Sequence, residues 1–210
     1  MFEYIPLFIT VFVLNTVAAA SPGPDMLVVM KNSIMYSRKS GMYTALGITS
    51  GIGVHVLYSL LGVGILIAES PTALTIIKYV GASYLGYLGI KMILSGQLAK
   101  VENFAASNAN LTISKSFQQG FITNLFNPKA VIFFVSLFTA IIDPGTPNSV
   151  LIVLGMEIVL ATILWFTIVA MLFSHPKIRQ WFLQRSLWFE RITGVVLILL
   201  SINILIFHHI

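Results

Sequence analysis

Three ionisable side chains lie deep in apolar sequence, and two of them directly follow prolines. Asp25 closes the run Ser21-Pro22-Gly23-Pro24-Asp25, Lys129 closes Asn127-Pro128-Lys129, and Glu157 stands alone in a long apolar stretch. A proline inside a helix removes one hydrogen bond and frees carbonyls in the preceding turn, so each proline run predicts an interrupted helix. The helix that restarts after an interruption presents unpaired N–H groups and positive potential, which suit an anion such as a carboxylate. Ser21 is expected to cap one restarting helix with Pro22 at its first position, and Asn127 the other with Pro128 likewise first. Gly23 would let the backbone come close to a ligand or to the other half of the molecule. The candidate binding residues are therefore Ser21, Gly23, Asp25, Asn127, Lys129 and Glu157, and the structural breaks are Pro22, Pro24 and Pro128.

A plainer reading makes the breaks ordinary kinks and Asp25–Lys129 an ion pair that only locks two segments together. Against it, a charge at membrane depth costs at least ~2.5 kcal/mol on insertion scales and marks a functional position by default. Glu157 could carry a coupling proton, since burial disfavours a charged carboxylate, or it could pair with Lys129; both readings stay open. His55 reads as a satisfied packing residue rather than a proton relay. Lys31, Lys78 and Lys91 lie near expected helix ends, where their long stems let the ammonium reach the interface. His208 and His209 are too few to argue a metal site. The chain has no cysteine, which excludes disulfides and thiolate metal sites. It carries no nucleotide-binding loop, zinc-protease motif or serine nucleophile elbow, so neither an enzyme nor a cofactor is expected.

The elements that must position these residues are membrane helices. Of the 210 residues, 57% are apolar and 9% charged, against about 25% charged in soluble domains; the surplus apolar surface must face lipid. A span needs ~20 residues, so six fit. Helix 1 is expected from about Ile5 to Tyr36, broken at Ser21–Pro24. Helix 2 runs from Gly41 to Ala68, and helix 3 from Thr72 to Leu94 after a turn at Glu69-Ser70-Pro71. Helix 4 spans Lys115 to Ile142, broken at Asn127-Pro128, and a turn at Asp143–Pro147 follows. Helix 5 spans Ser149 to Phe173. Lys177–Arg191, with Trp181 and Trp188, suits an interfacial segment, and helix 6 runs from Ile192 to Phe207. Ala18-Ala19-Ala20-Ser21 resembles a signal-peptidase site, but no Lys or Arg precedes it, as a secretory leader requires, so residues 1–20 are read as a retained half-helix. Gly47 with Gly51, and Gly81, Gly86 and Gly89, predict close helix contacts.

The breaks repeat. Pro24 and Pro128 lie 104 residues apart, as do Asp25 and Lys129, and Pro71 and Pro176 lie 105 apart. Three helices per half is an odd number, so the second half must sit upside down relative to the first, the inverted-repeat plan of many secondary transporters. The expected fold is thus an all-α integral membrane protein of six transmembrane helices, an inverted repeat of three plus three with helices 1 and 4 broken. Residues 1–95 form the first repeat, 96–114 a cytoplasmic linker, and 115–210 the second repeat. The net charge of +5 forms no patch, so nucleic acid is not an expected partner. Ten Lys and Arg fall in the loops between helices 1 and 2, 3 and 4, and 5 and 6, against Lys78 alone on the other side, which puts those loops in the cytoplasm and both termini outside it. The sequon Asn110-Leu111-Thr112 then lies on the cytoplasmic side and carries no meaning.

Ser21-Pro22-Gly23-Pro24-Asp25, Asn127-Pro128-Lys129-Ala130 and the helix 3 run Gly81-Ala82-Ser83-Tyr84-Leu85-Gly86-Tyr87-Leu88-Gly89 resemble the hallmarks of the bacterial LysE/RhtB amino-acid exporters, and the likeness in length and helix count covers nearly the whole chain. Either motif alone would be weak; the pair at this spacing is specific. The resemblance implies a multi-pass protein of the bacterial inner membrane that exports amino acids or their derivatives, such as threonine, homoserine, homoserine lactone or leucine, by proton antiport. Neutral substrates are favoured because the apolar spans offer few acids to hold a second cationic group. The implied partners are the amino acid, protons and the bilayer, with a homo-oligomer left open. The alternatives are a transporter of another small solute or a metal cation, for which two carboxylates beside a lysine are a poor ligand set, and a non-transport membrane assembly protein, in which buried charges at two breaks would be odd.

Overall fold

The computed structural model describes residues 2–21, 23–94, 111–141 and 145–207. Within them every regular element is helical. A 3-10 turn at Phe2–Tyr4 leads into α1 (Ile5–Ala20), followed by α2 (Pro24–Met35), α3 (Arg38–Glu69), α4 (Pro71–Leu94), α5 (Ile113–Leu125), α6 (Pro128–Ile141), α7 (Asn148–Phe173) and α8 (Pro176–Phe207). Pro22, most of the expected linker (95–110, with Lys100 and Asn110), the Asp143-Pro144 part of the turn, and His208 and His209 lie outside the described residues.

The helix ends follow local chemistry. The Ser21 N–H closes α1 on the carbonyls of Val17 and Ala18, at 3.0 and 3.3 Å. The helix resumes at Pro24 behind an extended Gly23, not at Pro22 behind Ser21 as the sequence suggested. Ser21 turns its hydroxyl back to the Ala18 carbonyl instead, at 2.9 Å, so it closes the helix behind it rather than capping the one ahead. Thr112 caps α5 by accepting from the Lys115 N–H. The axes of α5 and α6 differ by 57° across Phe126-Asn127. The expected interfacial segment Lys177–Arg191 is not a separate element: α8 starts at Pro176 and runs unbroken through it to Phe207. Proline suits the first turn of a helix, and no proline follows to stop it.

Among the described residues three stretches are long and apolar enough to cross a membrane, Phe2–Ala20, Arg38–Gly62 and Asn148–Phe173, and the bent pair Ile113–Leu125 with Pro128–Thr139 makes a fourth. Large apolar side chains point outward from them: Leu57, Leu61, Leu160 and Leu164 are each at least 60% exposed. Water would penalise this surface at roughly 25 cal/mol per Å²; lipid does not. Polar and small residues turn inward instead, with Thr44, Asn32, Asn124 and Thr162 buried among Met30, Ile48 and Ile158.

Glycine sets the closest approaches, as the spacing of Gly47 and Gly89 suggested. A Cβ at Gly47 would collide with the Phe117 carbonyl on α5, and one at Gly120 with the Thr44 carbonyl on α3. Gly89 on α4 and Gly194 on α8 meet in the same way, each Cβ position 2.6 Å from the other's carbonyl oxygen. Between lipid-facing helices no hydrophobic force drives association, so close backbone packing of this kind must hold them. Gly47→Ala is expected to lower stability by about 1–3 kcal/mol, the cost of overpacking. Gly53→Ala, where nothing lies within 4 Å of the added Cβ, should be neutral. Thermal melting in detergent checks both, and equal melting points would show that the α3–α5 contact is looser than described.

Candidate functional site

The two interruptions come together. Asp25 lies in the first turn of α2, and its Oδ2 accepts from Asn124 Nδ2 on α5 at 3.0 Å and from Asn127 Nδ2 at 2.9 Å. Asn127 caps α6 as expected, its Oδ1 accepting from the Lys129 N–H at 3.0 Å. That bond fixes the amide so that its NH2 faces Asp25. Lys129 reaches back the other way: its ammonium donates to the Ser21 carbonyl at 3.1 Å and also to the Ser21 hydroxyl. Each interruption thus supplies the groups that satisfy the other. Among the described residues no hydrogen bond joins Asp25 to Lys129 directly; the two charges are held separately, by neutral partners.

A small cavity of about 40 Å³ opens on this cluster, room for a water or two and well below the ~300–1,000 Å³ of small-molecule sites, so a larger solute enters only if the walls part. Its polar end is formed by Asp25, Asn124, Asn127, Lys129 and Ser21. Its other wall is Ile52, Phe133, Phe134 and Phe166, with Asn15 as a single amide among them. Asp25 Oδ1 is buried and accepts no hydrogen bond. Gly23 is extended, not left-handed, and a Cβ there would lie 3.4 Å from Lys129 Nζ, in ordinary contact. Its backbone does approach the other half closely, as the sequence suggested, and it borders the lysine.

Glu157 is not brought to this cluster. It lies on the outer side of α7, in a shallow groove with Phe12, Met156, Leu160 and Leu164. The row of α7 that faces inward is Ile158, Thr162 and Phe166, all buried. At about 100° per residue, position 157 is turned away from that row. Among the described residues Glu157 makes no hydrogen bond to Lys129: its Oε2 has no partner, and the lysine ammonium donates to Ser21.

Asn124, Asn15 and the phenylalanines of the wall were not singled out from the sequence. Asn124 stands three residues before Asn127, and two asparagines just ahead of Pro128 were the available signal. Asn15 and the phenylalanines carry no such mark. His55 was read as a packing residue, and its bonds give it a more defined task. Pro128 has no N–H to offer the carbonyl four residues back, which is that of Asn124. His55 Nε2 lies 3.0 Å from that oxygen, and only a protonated Nε2 can donate to it. Nδ1 in turn lies 3.0 Å from the Tyr58 hydroxyl, and the ring stacks on Phe134 of the cavity wall, centroids 6.1 Å apart. The imidazole thus replaces part of what the proline removed, at the residue whose amide holds Asp25.

Residues 16–207 match the LysE type translocator family. The chain is 36% identical over 203 residues to the threonine efflux protein of Salmonella typhi, covering 95% of this chain and 98% of that protein. It is 32% identical over 201 residues to the threonine efflux protein of Escherichia coli K12, with the same coverage of 95% and 98%. A leucine efflux protein of Salmonella choleraesuis is 35% identical over 128 residues, 61% of this chain and 59% of that protein. No solved structure matches the chain.

The histidine bond gives a test of the site's scaffold. His55→Leu keeps the bulk but removes the donor, and should cost about 1–3 kcal/mol of stability. His55→Gln, whose amide can reach the same carbonyl, should retain most of it. Thermal melting of the purified variants reads the difference, and a leucine variant as stable as the glutamine one would reduce His55 to packing.

Proposed function

The chain belongs to the LysE-type translocator family, and from that membership we propose that it is a secondary transporter of the bacterial inner membrane that exports a neutral amino acid or amino-acid derivative in exchange for protons. The observation that carries the reading is the unoccupied acceptor Oδ1 of Asp25, facing a cavity that also holds the Lys129 ammonium and the capped start of α6. A zwitterion needs one partner of each sign in a dry site. Asp25 Oδ1 takes the substrate ammonium; Lys129 and the start of α6 attract its carboxylate. The remaining wall is apolar apart from Asn15 and offers no further acid, which favours an uncharged side chain.

The same carboxylate explains exchange. With the ammonium gone, a proton is the small cation that can neutralise Asp25 in place, so proton and substrate compete for one group. Glu157, on the outer side of α7, has no part in this scheme. In the proposed topology the chain crosses the membrane six times as an inverted repeat, with α1–α2 and α5–α6 as the broken spans. Packing supports the repeat: α3 lies against its counterpart α7 and α4 against α8, while α3 packs on α6 as α7 packs on α2. Both termini are then periplasmic and the segment 96–114 cytoplasmic.

Two experiments test the proposal. Asp25→Asn and Lys129→Met should each lower export by about a hundredfold, the effect of losing ~3 kcal/mol at a buried charged group. Export by proteoliposomes is measured, with melting as a separate reading of folding. A double variant that regains transport would make the two charges a structural bridge and refute the mechanism, whereas one that regains stability alone is the expected result. For topology, a cysteine placed at Ser107 should react with impermeant reagents only after the cells are opened; labelling in intact cells would invert the orientation.

A further inference from the structure

Glu157 is an acid that the exchange scheme leaves unused and that lipid cannot serve. It is the tenth of the 26 residues of α7, roughly 5 Å from the middle of that helix at 1.5 Å per residue. Its Oε2 is buried and has no hydrogen-bond partner among the described residues. An unsatisfied polar group at this depth is costly in hydrocarbon. Ionisable residues inside a membrane therefore face the bundle interior or pair with another group, and Glu157 does not face the interior of this chain. The surface around it has the form of a helix seat. Val153, Met156, Glu157, Leu160, Ala161 and Leu164 recur at spacings of three and four along one side of α7, and Phe12 of α1 forms the far wall of the groove. Such a row is the stripe along which one helix packs on another, and the small Ala161, one turn from Glu157, leaves room for a close approach. Apolar contacts alone would not fill the groove with protein, since lipid tails cover them equally well. The carboxyl is what requires a partner.

We propose that this groove is the contact face of a homodimer, in which Glu157 hydrogen-bonds to the same residue of a second copy of the chain. A carboxyl that holds its proton donates through one oxygen and accepts through the other. Two of them facing each other satisfy both donors and both acceptors without help from a further residue. A twofold axis brings this about by construction, because an isologous interface sets a residue near the axis against its own copy. Any other protein would have to present a donor of its own at the same depth. The groove lies on the side of α7 turned away from Ile158, Thr162 and Phe166, so the contact is separate from the cavity and independent of what the cavity carries.

The chain contains no cysteine, so a single introduced one reports on its own surroundings. In membranes of the full chain, Ala161→Cys is expected to yield a dimer with a short bifunctional maleimide. Leu57→Cys, on an outward face of α3, is expected to stay monomeric. The strength of the contact is read from the dimer fraction of fluorescently tagged protein as it is diluted into liposomes. Glu157→Leu should raise the dissociation constant about tenfold. Glu157→Gln, whose amide also donates and accepts, should keep it within about threefold of the wild type. Glu157→Ala stands in if the leucine variant does not reach the membrane. A wild type that stays monomeric, cross-linking no stronger at 161 than at 57, or an apolar variant that dimerises as tightly as the wild type each overturns the proposal. A cross-linked product of another size in place of the dimer gives the groove to a different protein and overturns it likewise.

Discussion

A proline in an apolar helix strips a carbonyl of its donor, and in a bilayer no water is at hand to replace it. The rest of this molecule is arranged around meeting that requirement twice. At the first interruption the chain leaves the helix at Ser21, whose carbonyl then has no donor within its own helix, and Lys129 donates to it. At the second, the Asn124 carbonyl lacks the N–H that Pro128 cannot offer, and His55 supplies one from α3. The Asn127 N–H reaches the same oxygen at 2.9 Å. Asp25 then accepts the two amides that flank the second break. Neither interruption is satisfied by its own segment alone, so the helices that carry them must meet, and the cavity forms at their meeting point.

Much of this was legible in the sequence, because the physics that makes the breaks also marks them. Prolines flanked by Ser and Asn inside apolar runs announce interrupted helices, and the 104-residue offset puts Asp25 and Lys129 at matching positions of the two. The cap by Asn127 followed, since its amide can reach the second residue ahead whatever the surroundings. The cap by Ser21 did not follow. With two prolines in Pro22-Gly23-Pro24 the helix can restart at either, and it restarts at the second, which leaves Ser21 too far back to act as the cap. Tertiary geometry decides that choice, and local propensity does not.

Other features had no local signature. Glu157 looked like a member of the site because it is an acid in apolar sequence, but depth along a helix says nothing about azimuth. Its neighbours Ile158, Thr162 and Phe166 turn inward, and one residue of rotation puts it on the far side. His55 and Asn15 illustrate the opposite case. Each is a single polar residue in an apolar span, identical in sequence terms to a residue that merely packs. Their roles depend on which carbonyl or hydroxyl another helix brings within reach, and the carbonyl that His55 meets lies 69 residues away.

The packing also bears on how an inverted repeat could work. Under the repeat, α3 against α5 corresponds to α7 against α1, yet the first contact is the more extensive of the two. It is closed by Gly47 and Gly120 at backbone distance and by Asn32, which donates to Thr44 at 2.8 Å and to Gln119 at 2.9 Å. In the proposed topology α5 is the cytoplasmic half of its span and α1 the periplasmic half of its own. The close contact then seals the cytoplasmic side, and the looser one lies toward the periplasm. If the halves exchanged these roles, α1 would tighten on α7 while α5 released α3, and the same cavity would face the cytoplasm. The two interruptions need not separate in that exchange, since the bonds among Asp25, Asn124, Asn127, Lys129 and Ser21 join one directly to the other. A site that satisfies both breaks in either arrangement can stay intact while the helices on each side of it alternate.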